Sequence, residues 1–332
     1  SKANEKRSSP AGGADSLNIL GIDIGGTKLA VCLGNEKGDV FARQKMPARS
    51  EEGPEQGLNR MAEAAQALLA GRPPGWVDAI GISAPGPLSL RTGSLLDIPN
   101  MPGWVDVPVV SWFEERFAKP VFMNNDANGG ALAEFLFGQH RGTEDLVFLT
   151  LSTGIGAGVI SGGRIVQGAT DGGGEIGHHT LNPKGPPCPC GRRGCLEIYC
   201  GGRNVAERVR QHLADHPTET SLLEAGDRLD FKAIAEAARA GDRFARSVWD
   251  EFTEHLAHGI GNVIMMFNPS FVLLGTIAIH TGDFLLHPLR EALPRYAWSS
   301  ALEGFQVLPA SIGENIGDLA ALAIATEQLK SR

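Results

Sequence analysis

The chain has 332 residues and a formal net charge of −8, and 42 % of its residues are hydrophobic. This length is sufficient for two domains that each bury a core, and the acidic balance argues against a broad nucleic-acid footprint, which requires clustered basic residues. No segment reaches the length of a membrane span, and residues 1–16 lack the apolar run of a secretion signal and resemble a flexible tail. We therefore expect a cytoplasmic protein that binds neither nucleic acid nor membrane.

The first predicted element is a hairpin with a Gly-rich turn. Residues 17–34 contain two apolar strands, and the turn between them holds four residues that could bind a phosphate: Gly25, Gly26, Thr27 and Lys28. Glycines leave backbone N–H groups open to a phosphate, although the segment taken alone is better explained as an ordinary hairpin turn. Asp23 ends the first strand, where a carboxylate either caps the turn or holds Mg2+ through water.

A buried strand later in the same half of the chain ends in a turn suited to a ligand. Residues 54–70 have apolar side chains at helical spacing, so we expect a helix that covers the first sheet. Residues 77–83 form the buried strand, and the sequence Ala84-Pro85-Gly86-Pro87 stops it in a turn rich in exposed backbone. A position just beyond a strand end favours ligand binding.

Asp126 lies at the junction between a predicted short strand and a helix of small residues. An isolated Asp at such a junction is usually an N-cap. A helix N-terminus also favours the ionised carboxylate, and neighbouring side chains such as that of Asn125 can orient it as a general base. This segment alone leaves both interpretations open.

Residues 145–166 repeat the plan of the first hairpin, with an apolar strand, a Gly-rich turn, a second strand, a polar turn and a third strand. The repetition predicts an internally duplicated chain. The turn contains Thr153 and Gly154. Two such hairpins facing each other would place two Gly-rich turns on opposite sides of one cleft, an arrangement that favours phosphate binding more than either turn alone.

A Gly- and Pro-rich loop, residues 175–197, contains a candidate metal site. Its three thiols and one imidazole form the Cys3His set typical of structural zinc: His178, Cys188, Cys190 and Cys195. A disulfide is the alternative, but a bridge between Cys188 and Cys190 would be strained, and the chain is expected to be cytosolic. With the metal shell closed by these ligands, Glu175 and Glu197 are left to accept hydrogen bonds from a polyol.

Helices and one further strand complete the chain. The helices predicted from apolar spacing cover residues 204–214, 231–240, 242–267 and 314–329. Residues 270–276 form a buried strand that opens into a turn at Gly275 and Thr276, and a nucleotide base could lie against this turn.

From about Leu17 to Leu329 the chain resembles the ROK sugar kinases (repressor, open reading frame, kinase) of the actin, Hsp70 and hexokinase superfamily. Five motifs carry the resemblance: Asp23-Ile-Gly-Gly-Thr-Lys28, Asn125-Asp126-Ala-Asn128, Ser152-Thr-Gly-Ile-Gly156, Gly-Glu-Ile-Gly-His178 and Cys188-x-Cys190-Gly-x-x-Gly-Cys195-Leu-Glu197. The last two are the most specific.

The resemblance implies an α/β fold of the two-lobed, actin-like ATPase type. Each lobe would hold a copy of the duplicated ribonuclease-H-like fold, with a mixed sheet and flanking helices, and ligands would bind in the cleft between the lobes. The N-terminal lobe would comprise residues 17–126 and about 313–332. The C-terminal lobe would comprise residues 127–312 and contain the metal loop.

The resemblance also implies roles for the candidate residues, with Asp126 as the base that accepts a proton from a sugar hydroxyl. The sugar-binding residues would be Ala84, Pro85, Gly86, Asn125, Asp126, Glu175, His178 and Glu197. The residues for ATP and Mg2+ would be Asp23, Gly25, Gly26, Thr27, Lys28, Thr153, Gly154, Gly275 and Thr276. Structural Zn2+ would be bound by His178, Cys188, Cys190 and Cys195.

The implied activity is ATP-dependent phosphorylation of a hexose hydroxyl, with glucose, converted to glucose 6-phosphate, as the first choice of substrate. N-acetylmannosamine, N-acetylglucosamine and fructose are the alternatives. A sugar-sensing repressor is disfavoured because about sixteen residues before the first strand are too few for a DNA-binding module. Relatives are commonly dimers or tetramers, so a homo-oligomer is expected.

Two positions depart from the family pattern. Many relatives have a run of glycines where this chain has Gly275-Thr-Ile277, which implies an altered nucleotide pocket and makes another phosphoryl donor conceivable. His179 stands beside His178 and is an alternative metal ligand.

Overall fold

The computed structural model describes residues 16–217, 220–224, 226 and 229–330, except for the side chain of Glu314. The predicted tail, apart from Ser16, lies outside the described residues. The described residues divide into two compact units, a first unit within residues 16–124 and 321–330 and a second unit within residues 125–320. None of the helices in the described ranges is long and apolar enough to cross a membrane.

The first unit is built on a five-stranded mixed sheet. Its strands are β1 (Asn18–Ile24), β2 (Lys28–Asn35), β3 (Val40–Pro47), β4 (Ala79–Ala84), β5 (Leu88–Ser89), β6 (Ser94–Asp97), β7 (Val105–Val107) and β8 (Val121–Asn125). Two helices between these strands are α1 (Pro54–Leu69) and α2 (Val109–Phe117), and the end of the chain adds most of a third. The large sheet has the order β3-β2-β1-β4-β8, in which β1 pairs antiparallel with β2 and parallel with β4. The strands β5, β6 and β7 form a small separate sheet.

The core of the first unit follows from the apolar patterns in the sequence. All six residues of β4 are buried, as expected for a strand covered on both faces. The predicted helix over residues 54–70 is confirmed as α1, which buries Leu58, Met61 and Ala65. Lys28 was expected in the Gly-rich turn but is the first residue of β2, because the Gly25 N–H donates to the Lys28 carbonyl and closes the turn there.

The second unit repeats this plan. Its strands are β9 (Leu146–Leu151), β10 (Ile155–Ser161), β11 (Arg164–Ile165), β12 (Phe271–Leu274) and β13 (Gln306–Pro309). They form a sheet of order β11-β10-β9-β12-β13, in which β9 pairs antiparallel with β10 and parallel with β12. Because each sheet consists of an antiparallel three-strand meander followed by further strands in the same order, the predicted duplication is confirmed.

Helices surround the sheet of the second unit. They are α3 (Asp126–Phe137), α4 (Leu196–Cys200), α5 (Gly202–Asp215), α6 (Phe231–Arg239), α7 (Arg243–Phe267), α8 (Ile277–Thr281), α9 (Asp283–Ala292) and α10 (Ser299–Leu302). The last helix, α11 (Ile316–Lys330), begins in the second unit but belongs to the first unit from Ala321 on, where Ala321 and Leu322 lie against glycines of the first sheet. The four helices predicted from apolar spacing in this part are confirmed within two residues at each end. The helix α7 supplies much of the core through Trp249, Phe252, Leu256 and Ile260.

Close packing of α3 on β10 fixes the position of Asp126. A Cβ atom on Gly158 of β10 would lie 2.5 Å from the Ala127 carbonyl oxygen and 2.6 Å from the Ala131 Cβ, so only glycine allows this approach. The first turn of α3, which begins with Asp126, is thereby held against the sheet.

We predict that Gly158→Ala destabilises the protein by about 1–3 kcal/mol, because the added methyl group overpacks the contact between α3 and β10. Urea unfolding measures this free energy. Gly172→Ala is the matched control, since a Cβ at Gly172 meets no atom within 4 Å. Equal stability of the two variants would contradict the packing argument.

Candidate active site and metal centre

Asp126 is the first residue of α3, and Asn125 is its N-cap. The Asn125 Oδ1 accepts a hydrogen bond of 2.7 Å from the Asn128 N–H, and its backbone is extended. The interpretation of Asp126 as the helix cap is therefore wrong, because the preceding residue already fills that role. The Asp126 carboxylate is left available for another function.

The pKa of the Asp126 carboxyl is raised above its usual value. Desolvation by the surrounding protein is the main cause, and repulsion from the Glu175 carboxylate acts in the same direction. The backbone N–H of Ala127 opposes both effects by hydrogen bonding to the carboxylate. The residue itself keeps access to solvent. A raised pKa makes a carboxylate a stronger proton acceptor, which suits general-base catalysis.

His178 connects two groups of side chains through its two ring nitrogens. It ends a short 3-10 turn, Ile176–His178, that follows Glu175. Its Nδ1 lies 3.6 Å from the Cys188 Sγ, whereas its Nε2 lies 4.0 Å from the Glu197 Oε1. One nitrogen therefore faces the thiols and the other faces a carboxylate.

Glu197 joins the metal loop to the second Gly-rich turn. Its Oε2 accepts a hydrogen bond of 2.8 Å from the Ile155 N–H, which immediately follows the turn. A Cβ atom on Gly154 would lie 2.6 Å from the same oxygen, so the glycine leaves the space that the carboxylate occupies. Thr153 accepts a hydrogen bond from the Arg203 N–H of α5 through its carbonyl oxygen.

The metal ligands predicted from the sequence lie together. One ligand atom from each of His178, Cys188, Cys190 and Cys195 falls within 4.8 Å of the others. All three thiols are free, so the disulfide alternative finds no support. The backbone N–H of Arg192 lowers the pKa of Cys190 to about 6, which favours its thiolate, whereas burial raises the pKa of the Cys188 and Cys195 thiols.

The spacing of these atoms fits a tetrahedral zinc ion. Zn–S bonds of about 2.3 Å and a Zn–N bond of about 2.0 Å place two sulfurs about 3.8 Å apart, and a sulfur and a nitrogen about 3.5 Å apart. The Cys190 and Cys195 sulfurs are 3.6 Å apart, and the Cys188 sulfur is 3.6 Å from the His178 Nδ1. The donor set and its geometry therefore suit zinc.

His179 does not join this cluster. Its Nδ1 lies 2.5 Å from the Ile176 carbonyl oxygen and its Nε2 lies 3.2 Å from the Asn262 side-chain nitrogen. Because both ring nitrogens are engaged elsewhere, His178 is the imidazole that faces the thiols.

A cavity of about 780 Å3 opens in the second unit beside the second Gly-rich turn. Thr153 and Thr276 line it, as does an apolar surface that includes Phe231 and Ile277. Thr276 has φ 38° and ψ −83°, a conformation that a β-branched residue rarely adopts. Gly275 precedes it at the end of β12 and donates its N–H to the Leu149 carbonyl.

Sequence reasoning missed the basic side chains of this cavity, which are Arg203, Arg210, Lys232, Arg239 and His280. They come from α5, α6 and α8. No local motif marks them, because which face of each helix meets the cavity is decided by tertiary packing.

In the first unit, the predicted Mg2+-binding and sugar-binding residues lie at one edge of the sheet. Asp23 of β1 is in register with Ser83 of the parallel strand β4, so Asp23 and the turn Ala84-Pro85-Gly86 lie at the same ends of neighbouring strands. Asn100, which sequence reasoning missed, lies against the Gly-rich turn, since a Cβ on Gly26 would be 3.3 Å from its carbonyl oxygen.

Comparison with known proteins places this geometry in a family. The model of the ROK family matches residues 19–328. The chain belongs to the ROK family. It is 34 % identical over 315 residues to a glucokinase from Thermotoga maritima, a match that covers 94 % of this chain and 98 % of the relative.

Two solved structures of ROK proteins have the same fold. The ROK hexokinase from Thermus thermophilus aligns with a TM-score of 0.80 and 34 % identity, covering 95 % of this chain and all of the hexokinase. A ROK glucokinase from Streptomyces griseus in complex with glucose and AMPPNP aligns with a TM-score of 0.75 and 29 % identity, covering 92 % of this chain and 98 % of the other. The predicted class, a duplicated α/β fold of the actin-like ATPases, is confirmed.

We predict that the purified protein contains about one zinc ion per chain and that Cys190→Ser loses it, because a serine hydroxyl is a far poorer zinc ligand than a thiolate. Elemental analysis after dialysis against a weak chelator measures the zinc content. Cys32→Ala is the control, since Cys32 lies in β2 outside the cluster. Full zinc retention in Cys190→Ser would refute the ligand assignment.

Proposed function

We propose that the chain is an ATP-dependent hexose kinase and that glucose is its preferred sugar substrate. One observation carries the proposal: Asp126, with its raised pKa, lies near Glu175, at the start of the turn that presents His178 to Glu197. A proton acceptor thus accompanies a set of polar side chains suited to sugar hydroxyls. The glucokinase and hexokinase relatives support the same reaction.

The reaction requires a base and alignment of two substrates. The Asp126 carboxylate would accept the proton of a sugar hydroxyl while the oxygen bonds to the γ-phosphorus of ATP. The bond from that phosphorus to the β–γ bridging oxygen breaks, and ADP leaves. Because phosphoryl transfer depends mainly on positioning and charge neutralisation, no covalent intermediate on the protein is needed.

The sugar would be held by the carboxylates and imidazole of the second unit, namely Glu175, His178 and Glu197, together with Asn125. In the first unit, the turn Ala84-Pro85-Gly86 is the proposed sugar-binding segment. The His178 Nε2 would reach a hydroxyl, since its Nδ1 faces the thiols. Zinc, when bound, would order this loop without a vacant coordination position, because four protein ligands complete its shell.

The donor would be ATP, held in the cavity beside Thr153, Gly154 and Thr276, with Gly275 behind it. Binding of AMPPNP by the Streptomyces griseus glucokinase supports this assignment. In the first unit, Asp23 would hold Mg2+ through water, and the turn from Gly25 to Lys28 would contact phosphates. We further propose a homo-oligomer, a dimer or a tetramer.

A coupled kinase assay tests the proposed function directly. Glucose, mannose, fructose and the N-acetylhexosamines are compared, each with several nucleotides. We expect glucose with ATP to give the highest kcat/KM. If folded, zinc-loaded protein phosphorylates none of these sugars, the proposal is wrong, whereas a preference for another hexose would revise only the substrate.

We predict that Asp126→Asn lowers kcat by about 10²- to 10⁴-fold, because the amide cannot accept the proton. Glucose affinity, measured by calorimetry, should stay close to that of the wild type, since the side chain keeps its size. Asp250→Asn, an exposed substitution on α7, is the control. Wild-type turnover in Asp126→Asn would show that the carboxylate is not the base.

We predict that kcat/KM falls on the acid side with an apparent pKa above that of an ordinary Asp, and that Glu175→Gln moves this limb to lower pH. Only the ionised Asp126 accepts a proton, and its pKa is raised by desolvation and by the charge of Glu175. Removing that charge lowers the pKa, so the base stays ionised in more acidic solution.

The pH profile is read from the midpoint of the acid limb, so a general loss of activity in Glu175→Gln does not obscure it. Glu291→Gln, the same substitution on the exposed face of α9, should leave the midpoint unchanged. A midpoint that does not move in Glu175→Gln would mean that this carboxylate has no influence on the base.

A further inference from the structure

The imidazole of His179 has a defined tautomer. A carbonyl oxygen only accepts hydrogen bonds, so the Nδ1 that lies 2.5 Å from the Ile176 carbonyl must carry the hydrogen. In the neutral ring the Nε2 then has a lone pair, and it faces the side-chain nitrogen of Asn262, a donor, at 3.2 Å. Both contacts therefore require the same tautomer, with the hydrogen on Nδ1.

Asn262 belongs to a closely packed part of the second unit. It lies in α7, where the neighbouring residues Ile260, Gly261, Val263 and Ile264 are buried. The helix also packs against α4, in which the metal loop ends, since the rings of Tyr199 and His255 are stacked with centroids 4.1 Å apart. The amide of Asn262 is therefore a fixed point relative to the loop.

Through His179, this fixed point reaches the turn that carries the candidate sugar-binding groups. The Ile176 carbonyl accepts both the ring Nδ1–H and the backbone N–H of His179, the latter at 3.2 Å. The His178 N–H donates to the Glu175 carbonyl at 3.1 Å within the same turn. The His179 carbonyl accepts from the Leu196 N–H at 3.0 Å, which ties the two ends of the loop together.

We propose that Asn262 and His179 form a pair of positioning residues for the sugar site. The pair holds the turn Ile176–His178 so that the His178 Nδ1 faces the thiols and its Nε2 faces Glu197. His179 thus fixes the orientation of the neighbouring His178. This inference rests on the proposed function, because its kinetic consequence is the binding of a sugar by His178.

The test is a double-mutant cycle with Asn262→Leu, His179→Phe and the double variant. Each single variant should raise KM for glucose by about 10- to 100-fold, the size expected when a group that orients a ligand is removed. KM for ATP should be unchanged, because the donor cavity has no contact with this pair among the residues that line it. The double variant should be no worse than His179→Phe, since both changes break one interaction.

Gln211→Leu is the matched control for Asn262→Leu. It removes an amide from an exposed face of α5, where Gln211 donates to Asp215 at 3.0 Å, and should leave KM for glucose unchanged. The proposal is overturned if both single variants keep the wild-type KM for glucose, or if their effects multiply in the double variant. A fall in melting temperature without a change in this KM also overturns it.

A second measurement does not depend on activity. In wild-type protein labelled with 15N-histidine, long-range 1H–15N correlations show which ring nitrogen of His179 carries the hydrogen. We expect Nδ1 in the wild type, and a hydrogen on Nε2 would overturn the proposal even if a variant fails to fold. If the wild type phosphorylates no hexose but shows the Nδ1–H tautomer, the proposed function fails while the hydrogen-bonded pair stands.

Discussion

The rest of the site depends on the contacts of the Glu197 carboxylate with the second Gly-rich turn and with His178. One oxygen is held at 2.8 Å by the Ile155 N–H, and the other faces the His178 Nε2 at 4.0 Å. The same carboxylate fills the space that a side chain on Gly154 would occupy. A Gly-rich turn between two strands and a loop rich in cysteine are thereby joined at one point.

The proposed structural metal site and the proposed catalytic base are formed by different residues. The thiols and the His178 Nδ1 form a closed set of four donors that fits zinc, which leaves no position on the metal for a substrate. The proposed proton acceptor, Asp126, lies elsewhere, at the first turn of α3, which Gly158 allows to pack tightly on β10. Packed elements thus hold both the proposed base and the proposed sugar ligands, as accurate positioning requires.

Both hairpins and the metal ligands could be predicted from the sequence, because the residue patterns that indicate them are local. Apolar runs around glycine turns predicted both hairpins and their duplication, and the Cys spacing predicted the metal set. The sequence left open whether Asp126 caps α3 or acts as a base; the cap is Asn125, and because Asn and Asp are both good caps, only the backbone conformation distinguishes them. The roles assigned to the site residues and the lobe boundaries stay predictions.

What the sequence could not predict depends on contacts between distant segments. The pairing of His179 with Asn262 joins residues 83 positions apart, and nothing near either residue indicates it. The basic side chains of the cavity beside the second Gly-rich turn come from three helices whose orientation is decided by packing. The conformation of Thr276 is likewise set by its surroundings, since its own chemistry disfavours a positive φ.

The central claim is that a metal-ordered loop presents His178 and Glu197 to a sugar. A crystal structure of zinc-loaded protein with glucose, with anomalous data collected at the zinc edge, tests it most directly. The account predicts one zinc peak among His178, Cys188, Cys190 and Cys195, with a glucose hydroxyl hydrogen-bonded to the His178 Nε2 and another within reach of Asp126. Glucose bound away from these residues, or zinc bound through His179, would contradict it.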